Sequence, residues 1–441
     1  MEMRAEERNV DQERLGETAP TPVSYVALLR HNRAFRRLWV GLAVSMAGDW
    51  FRIIALYHLV LELTGASGLA LGGILIAQSL SMFLLSPVAG VWADRLSRKA
   101  IMIGTDLIRA GLALGFLCIT TADHVWLAYV LTAAIMAVSS FFSPALMATI
   151  PNLTRREELV AANALTSATW AAMLAIGSGL GGLVTAALGT SAAFGIDAAT
   201  YVISALFIAS ISISARTSEA SDAATEAPHS GWQTFVSGLH YMKDRPLIRR
   251  LLSVKAWSAG VGGSIVLLST LFAENVFQAG VVGMGLVYTV RGIGAVFGPI
   301  VARRIVGENP DAMYRTIGVA FFIMAGLFLL FSRMPTLLSA SVVLCVATMA
   351  SNILWVFSST LLQLSVPDAY RGRVFATDFA LLTILMAAST FIAGWAVDQP
   401  ALGPRTVTSL LGGILFIPAL LWLLSLLRKR SRAFALTDKS S

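Results

Sequence analysis

Twelve long apolar stretches dominate the sequence and leave little room for any other kind of structure. Each is close to the roughly 20 residues that an α-helix needs to cross the hydrocarbon core of a bilayer. Lipid offers no partner for unpaired backbone polar groups, so the pattern predicts an all-α membrane protein. We number the predicted helices as spans 1 to 12, at residues 38–61, 69–93, 100–120, 125–149, 162–188, 191–214, 249–273, 281–303, 314–332, 336–364, 374–397 and 405–427.

The composition excludes an ordinary soluble protein of this length. Of the 441 residues, 56% are hydrophobic and only 13% are charged, whereas soluble domains average roughly 25% charged residues. The two cysteines, Cys118 and Cys345, lie inside apolar spans, so we expect neither a disulfide framework nor a metal site. We find no catalytic constellation and no nucleotide-binding loop, and we therefore predict a protein that is not an enzyme and needs no cofactor.

The basic residues fall on alternate loops. Groups of Lys and Arg precede span 1 and follow spans 2, 4, 6, 8, 10 and 12, whereas the loops of the other parity carry only Arg333 and Arg405. By the positive-inside rule we expect both termini to be cytoplasmic in a multi-pass protein of the plasma membrane. The same distribution accounts for the net charge of +8, so we predict no nucleic-acid partner.

The longest interruption divides the spans six and six. We predict an N-terminal cytoplasmic segment at 1–37, a six-helix bundle at 38–214, a central cytoplasmic loop at 215–248, a second six-helix bundle at 249–427 and a cytoplasmic tail at 428–441. Residues 1–37 lack the features of a cleaved signal peptide. Apolar residues at helical spacing predict surface helices over 26–37 and 232–242.

The two halves resemble each other. Residues 151–157, Pro-Asn-Leu-Thr-Arg-Arg-Glu, follow the fourth span of the first half, and residues 367–373, Pro-Asp-Ala-Tyr-Arg-Gly-Arg, follow the fourth span of the second. Parallel six-span repeats build one large group of secondary transporters, whose substrate site lies between the halves. The repeat therefore favours a pseudo-symmetric transporter with a small-molecule substrate.

The loop after span 2 carries a recognisable motif. It reads Gly90-Val-Trp-Ala-Asp94-Arg95-Leu-Ser-Arg98-Lys99 and resembles the signature loop of the major facilitator superfamily, with Ser97 where glycine is usual. The resemblance implies the major facilitator fold, usually monomeric. It also implies that this loop latches the two halves together on the cytoplasmic side, with the three cations around Asp94.

Three further stretches resemble the enterobactin-exporter and macrolide-efflux branch of that superfamily. They are residues 36–50, 161–170 and 367–378. This resemblance implies proton-driven export of small amphiphilic compounds. Proton-coupled exporters of the superfamily often carry an arginine in span 4, whereas span 4 of this chain has no charge, so a proton relay here must use other residues.

A glycine-rich stretch in span 5 admits more than one interpretation. Gly177, Gly181 and Gly182 match part of the superfamily's antiporter motif, but Ser178 replaces its proline and Met173 its earlier glycine. The same letters satisfy the dinucleotide-binding fingerprint, although no strand precedes them, so that interpretation fails on context. Close helix packing is the structural alternative to an antiporter role.

Charges inside the spans are the candidate functional residues, because each costs roughly 2.5–3.5 kcal/mol near the centre of a membrane helix. Asp49, Arg52 and Arg291 lie near the midplane and are the leading candidates for proton coupling or substrate binding. The alternative is a structural ion pair, either between Asp49 and Arg52 or between Asp49 and Arg291. Secondary candidates are Asp106 and Arg109, which we expect to form an ion pair, Asp197, which we expect to be structural, Asp378, which we place near the latch, and His58.

Three classes of function compete. A proton-driven exporter is the first, and a facilitator or importer on the same fold is the second, favoured by the imperfect span-5 motif and the uncharged span 4. A receptor or lipid-handling protein is disfavoured, because the sequence holds no sizeable extramembrane domain. Six aromatic residues are candidates for lining the cavity: Trp50, Tyr57, Trp170, Trp257, Tyr288 and Trp355.

Overall fold

The computed structural model describes residues 24–212, 245–307 and 309–437, with side chains described except at 86–95, 368–369, 371–372, 376 and 427–437. Twelve helices in this part of the chain are long and apolar enough to cross a membrane, which confirms the predicted number. Spans 1 to 12 are Arg33–Leu63, Gly68–Arg95, Arg98–Gly115, Val125–Leu153, the pair Leu159–Ala172 and Ser178–Leu188, Thr190–Ala209, Pro246–Leu271, Gly280–Val306, Pro310–Phe331, Leu337–Ser365, Asp368–Val397 and Pro404–Thr437.

Several span ends differ from the prediction, and the ends of spans 6 and 12 show why. Span 6 ends at Ala209 rather than at 214, where the hydroxyl of Ser210 donates to the carbonyl of Phe207 at 2.7 Å. Such local bonds compete with the next turn of a helix. Span 12 continues to Thr437, through the arginines and lysine that follow its apolar part, because these residues are strong helix formers.

The predicted N-terminal surface helix is shorter than expected. It covers Tyr25–His31 only, and span 1 begins at Arg33 because the side chain of Asn32 accepts a hydrogen bond from the amide of Phe35 at 2.9 Å. The assignment of Arg33 and Arg37 to the surface helix was therefore wrong, since an asparagine N-cap starts a new helix there. The second predicted surface helix, at 232–242, lies outside the described residues.

Spans 1–6 and spans 7–12 form two bundles that meet along two seams. Span 2 packs on span 11, and span 5 packs on span 8. Glycines allow close contact at both seams: Gly68 faces Gly394, and Gly182 faces Gly285. Small residues let backbones approach closely enough for dispersion forces to hold helices together in lipid.

Hydrogen bonds join the two halves at one end of the bundle. We call the end at which span 1 begins the basic end, and the other the opposite end. At the opposite end the carboxylate of Asp398 accepts hydrogen bonds from the amides of Gly68 and Leu69, at 2.6 and 2.9 Å, and from the hydroxyl of Ser67 at 2.8 Å. Near the middle of the bundle the hydroxyl of Thr289 donates to the carbonyl of Ala175 at 2.7 Å, a further hydrogen bond between the halves.

Candidate functional site

A cavity of about 250 Å³ lies on the inner face of the first bundle. Spans 1 and 4 form most of its wall, and spans 3 and 5 contribute the rest. Its charged floor is near the middle of span 1, and its wall extends along the chain toward the basic end. The lining residues are Leu42, Ser45, Met46, Asp49, Trp50, Arg52, Ile53, Arg109, Met136, Ser139, Phe142, Ser143, Leu146 and Trp170.

Beneath this cavity Arg52 joins two carboxylates. Its Nη2 donates to Asp49 Oδ1 at 2.9 Å, and its Nε donates to Asp197 Oδ2 of span 6 at 2.8 Å. The hydroxyl of Tyr201, one turn after Asp197, donates to the same Oδ1 of Asp49 at 2.5 Å. The predicted pair between Asp49 and Arg52 is thus present, and Asp197 belongs to the same network.

A second ion pair adjoins the first. Asp106 and Arg109 of span 3 form the predicted pair, and the guanidinium of Arg109 lies over the ring of Tyr201, 4.5 Å from its centroid, and over that of Phe142 at 4.6 Å. Tyr201 therefore connects both pairs, since its hydroxyl contacts Asp49 and its ring contacts Arg109. We call these six residues, Asp49, Arg52, Asp106, Arg109, Asp197 and Tyr201, the charged cluster.

The charged cluster holds three carboxylates and only two guanidiniums. Within it Arg52, Asp106, Asp197 and Tyr201 are fully buried, whereas 27% of the side chain of Asp49 is exposed to the cavity. Four buried atoms in the cluster have no hydrogen-bond partner in the structure: Arg52 Nη1, Asp106 Oδ2, Arg109 Nε and Asp197 Oδ1. An excess of one negative charge at low dielectric is costly, and binding a single proton removes it.

Arg291 lies apart from the charged cluster. Its guanidinium is 5.2 Å from the ring centroid of Tyr288, and Tyr288 packs against Trp50 at 5.7 Å and against Tyr57 at 6.2 Å. Among the described residues Arg291 forms no salt bridge. The alternative in which it pairs with Asp49 was wrong, because the salt bridge that Asp49 forms is to Arg52.

Arg291→Ala is expected to impair transport of anionic substrates at least tenfold more than transport of cationic ones. The guanidinium has aromatic neighbours but no carboxylate partner among the described residues, so its positive charge is available to an anion. Its two parallel N–H donors suit a carboxylate. The measurement is efflux of matched anionic and cationic probes from cells that express either variant. An equal loss for both probes would contradict an anion-binding role, and Arg291→Lys serves as the control that keeps the charge.

The second bundle contains a buried ion pair that the sequence interpretation missed. Lys255 of span 7 pairs with Asp378 of span 11, and its ammonium lies over the ring of Trp355 at 4.7 Å. Asp378 was expected near the latch, but its carboxylate is turned into the bundle by this lysine. Lys255 could have been found, because it is the one lysine within the twelve predicted spans.

The latch motif lies only partly within the described side chains. Gly90, Asp94 and Arg95 of the latch motif lie where side chains are not described, while Arg98 donates to the carbonyl of Ala148 at 2.9 Å and Lys99 to those of Ala209 and Ile211 at 2.7 and 2.6 Å. These two cations therefore bind backbone at the basic end of their own bundle. Across the two halves, His58 Nδ1 lies 3.5 Å from Oε1 of Glu274, in the π-helical turn Phe272–Val276 that follows span 7.

The span-5 glycines lie between the halves. A π-helical turn, Met173–Gly177, precedes Ser178 inside the predicted span, which continues as one membrane helix over Leu159–Leu188. A side chain at Gly177 would meet Trp50, one at Gly181 the backbone of Phe51, and one at Gly182 the backbone of span 8. The three glycines thus hold span 5 against span 1 and span 8, beside the charged cluster.

Comparison with known proteins gives a family match. A family model described as Major Facilitator Superfamily matches residues 38–378. The uncharacterized MFS-type transporter YfiS of Bacillus subtilis is 28% identical over 41% of this chain, which corresponds to 43% of that protein.

Two relatives with longer alignments carry functional names. The enterobactin exporter EntS of Shigella boydii is 24% identical over 79% of this chain and 82% of its own length. Macrolide efflux protein A of Streptococcus pyogenes is 22% identical over 83% of this chain and 89% of its own length. These matches confirm the branch resemblance of the three sequence stretches.

A solved structure shares the fold. The crystal structure of a mutant of the nucleoside transporter NupG aligns with a TM-score of 0.70 over 89% of this chain and 99% of its own, at 13% identity. The predicted arrangement of two six-helix bundles is thereby confirmed.

Proposed function

The chain belongs to the major facilitator superfamily, and we propose that it exports small amphiphilic compounds in exchange for protons. The observation that carries this proposal is the excess carboxylate of the charged cluster at the floor of a cavity. Asp49 is the residue of that cluster through which a proton reaches the cavity, because its side chain is the exposed carboxylate.

Coupling follows from charge balance. With Asp49 ionised, the cluster carries one negative charge, and a cationic or hydrogen-bond-donating substrate in the cavity is attracted to it. With Asp49 protonated, the cluster is neutral and that attraction is lost. Proton binding therefore favours substrate release, which is the relation that an antiporter requires.

Alternating access follows from the two ends. We take the basic end as cytoplasmic, by the positive-inside rule, so the cavity faces the cytoplasm while Asp398 and the span-2 terminus close the external end. A rocking motion of the two bundles about the seam between spans 5 and 8 would break those contacts and open the charged cluster to the external side. Protons would then bind from the external side, and each transport cycle would carry one proton into the cytoplasm down its gradient.

The names of the relatives support the substrate class. EntS and macrolide efflux protein A are named for export of a siderophore and of macrolides, both small amphiphilic molecules. Met46, Met136, Trp50 and Trp170 line the cavity beside the charges. Flexible thioether and aromatic side chains suit an apolar ligand of variable shape.

The test is transport in proteoliposomes with an imposed pH gradient. A radiolabelled macrolide and a radiolabelled catecholate siderophore are the probes. Movement of either one against its concentration gradient, driven by protons moving the other way and abolished by a protonophore, is the expected result. Downhill flux without pH dependence would instead establish a facilitator, the alternative favoured by the uncharged span 4.

A further inference from the structure

A groove of about 540 Å³ runs along the second bundle, away from the charged cluster. Span 7 forms its floor, and spans 11 and 12 form its walls. Ile392, Leu410 and Ile414 on those walls are exposed, so the groove opens toward the lipid. The lining is almost entirely apolar, and its hydroxyl-bearing residues are Ser253, Ser264 and Ser389.

The groove exists because the two bundles are packed differently. In the first bundle, span 6 packs directly on span 1, where Gly41 and Gly48 allow close contact. In the second bundle, span 12 leans on span 9 instead. The ring of Trp422 packs over Gly318 and its Nε1 donates to the carbonyl of Tyr314 at 2.9 Å, so span 12 stands away from span 7.

The groove ends at a cation. A second cavity, of about 290 Å³, shares Ser253 and Trp257 with the groove and continues it to Arg250, at the basic end. From Arg250 to Ser264 span 7 rises roughly 21 Å at 1.5 Å per residue. This length exceeds the roughly 15 Å of one hydrocarbon leaflet, and the groove continues past the middle of the bilayer, because Ala396 and Val407 on its walls lie near the opposite end of spans 11 and 12. An acyl chain with its headgroup at Arg250 therefore occupies the part of the groove nearer the basic end, from Ser253 to Ser264 on span 7.

Arg250 is available to a ligand. Its side chain is exposed, and it forms no salt bridge with a carboxylate of the described residues. On its other side lies a third cavity, which Asp311 also borders. A guanidinium that faces an apolar groove on one side matches the combination of a phosphate and an acyl chain.

We propose that this groove binds an anionic phospholipid of the cytoplasmic leaflet, with an acyl chain between spans 7, 11 and 12 and the phosphate at Arg250. The lipid takes the place beside span 7 that span 6 takes beside span 1 in the first bundle. It thereby supports span 7, whose Lys255, next to the groove residue Ala256, pairs with Asp378 of span 11.

The test is native mass spectrometry of the purified full-length protein, titrated with phosphatidylglycerol or phosphatidylcholine. We expect phosphatidylglycerol to bind tighter, and Arg250→Ala to weaken its binding about tenfold, the loss typical of a charge-assisted hydrogen bond. Phosphatidylcholine should change little. Arg249→Ala is the matched control, since Arg249 is exposed beside it but borders none of the three cavities.

A second pair of variants tests the acyl-chain site. A side chain built at Gly260, in the groove lining, meets nothing within 4 Å and enters the groove. A side chain built at Gly262 also meets nothing within 4 Å, but Gly262 lies outside the groove lining. Gly260→Leu should weaken binding of both lipids, and Gly262→Leu should leave both unchanged. Equal losses in Arg249→Ala and Arg250→Ala, or undiminished binding in Gly260→Leu, would overturn the proposal.

Discussion

Asp49→Asn is expected to abolish proton-driven, uphill export and to weaken substrate binding as protonation of Asp49 does, while counterflow without a gradient continues at saturating substrate. The substitution removes the excess charge of the cluster and leaves two carboxylates facing two guanidiniums. The neutral amide keeps the shape of Asp49 and still accepts a hydrogen bond from Arg52 or Tyr201. The protein should therefore remain folded but lose the group that exchanges a proton with the cavity.

The measurement compares three reactions in proteoliposomes: substrate binding, counterflow without a gradient, and accumulation driven by a pH gradient. Glu62→Gln is the control, because Glu62 lies on the same span, is exposed and lies outside the charged cluster. Survival of uphill, pH-dependent export in Asp49→Asn would show that proton coupling runs through another group. A loss of counterflow as well would indicate that Asp49 is a structural partner of Arg52.

The local part of the site could be predicted from the sequence. Asp49 with Arg52, and Asp106 with Arg109, are each three residues apart on one helix, and a single helix brings such residues together. The apolar runs specified twelve spans for the same reason, because each run depends only on its own residues. Their ends were less certain, as the stop at Ala209 and the break at Asn32 show.

The rest of the site depends on contacts between distant helices. Asp197 and Tyr201 join Asp49 only because span 6 packs on span 1, where Gly48 lies against Thr200 and Asp197. One sequence contains no signal for that pairing, so Asp197 was interpreted as a structural group without a named partner. Lys255 and Asp378 were missed as a pair for the same reason, although a lysine in an apolar span predicts a buried partner.

Arg52→Gln is expected to lower the stability of the folded protein by about 3–5 kcal/mol, the usual effect of removing one partner from a buried ion pair. The guanidinium is fully buried and donates to both Asp49 and Asp197. Its loss leaves Asp197 charged and fully buried with no cation in contact. The measurement is denaturant unfolding in detergent micelles, with Arg304→Gln, an exposed arginine of span 8, as the control.

The double variant Arg52→Gln, Asp197→Asn tests whether Arg52 and Asp197 stabilise each other in the folded protein. If the two residues stabilise each other, the double variant is more stable than Arg52→Gln alone, because Asp197 then carries no unpaired charge. The coupling between the two substitutions should be at least about 1 kcal/mol, within the range seen for residues in one network. Strictly additive losses would show that Arg52 is held by Asp49 alone. In that case the charge balance of the cluster would have to exclude Asp197, and the proton count that supports antiport would fall with it.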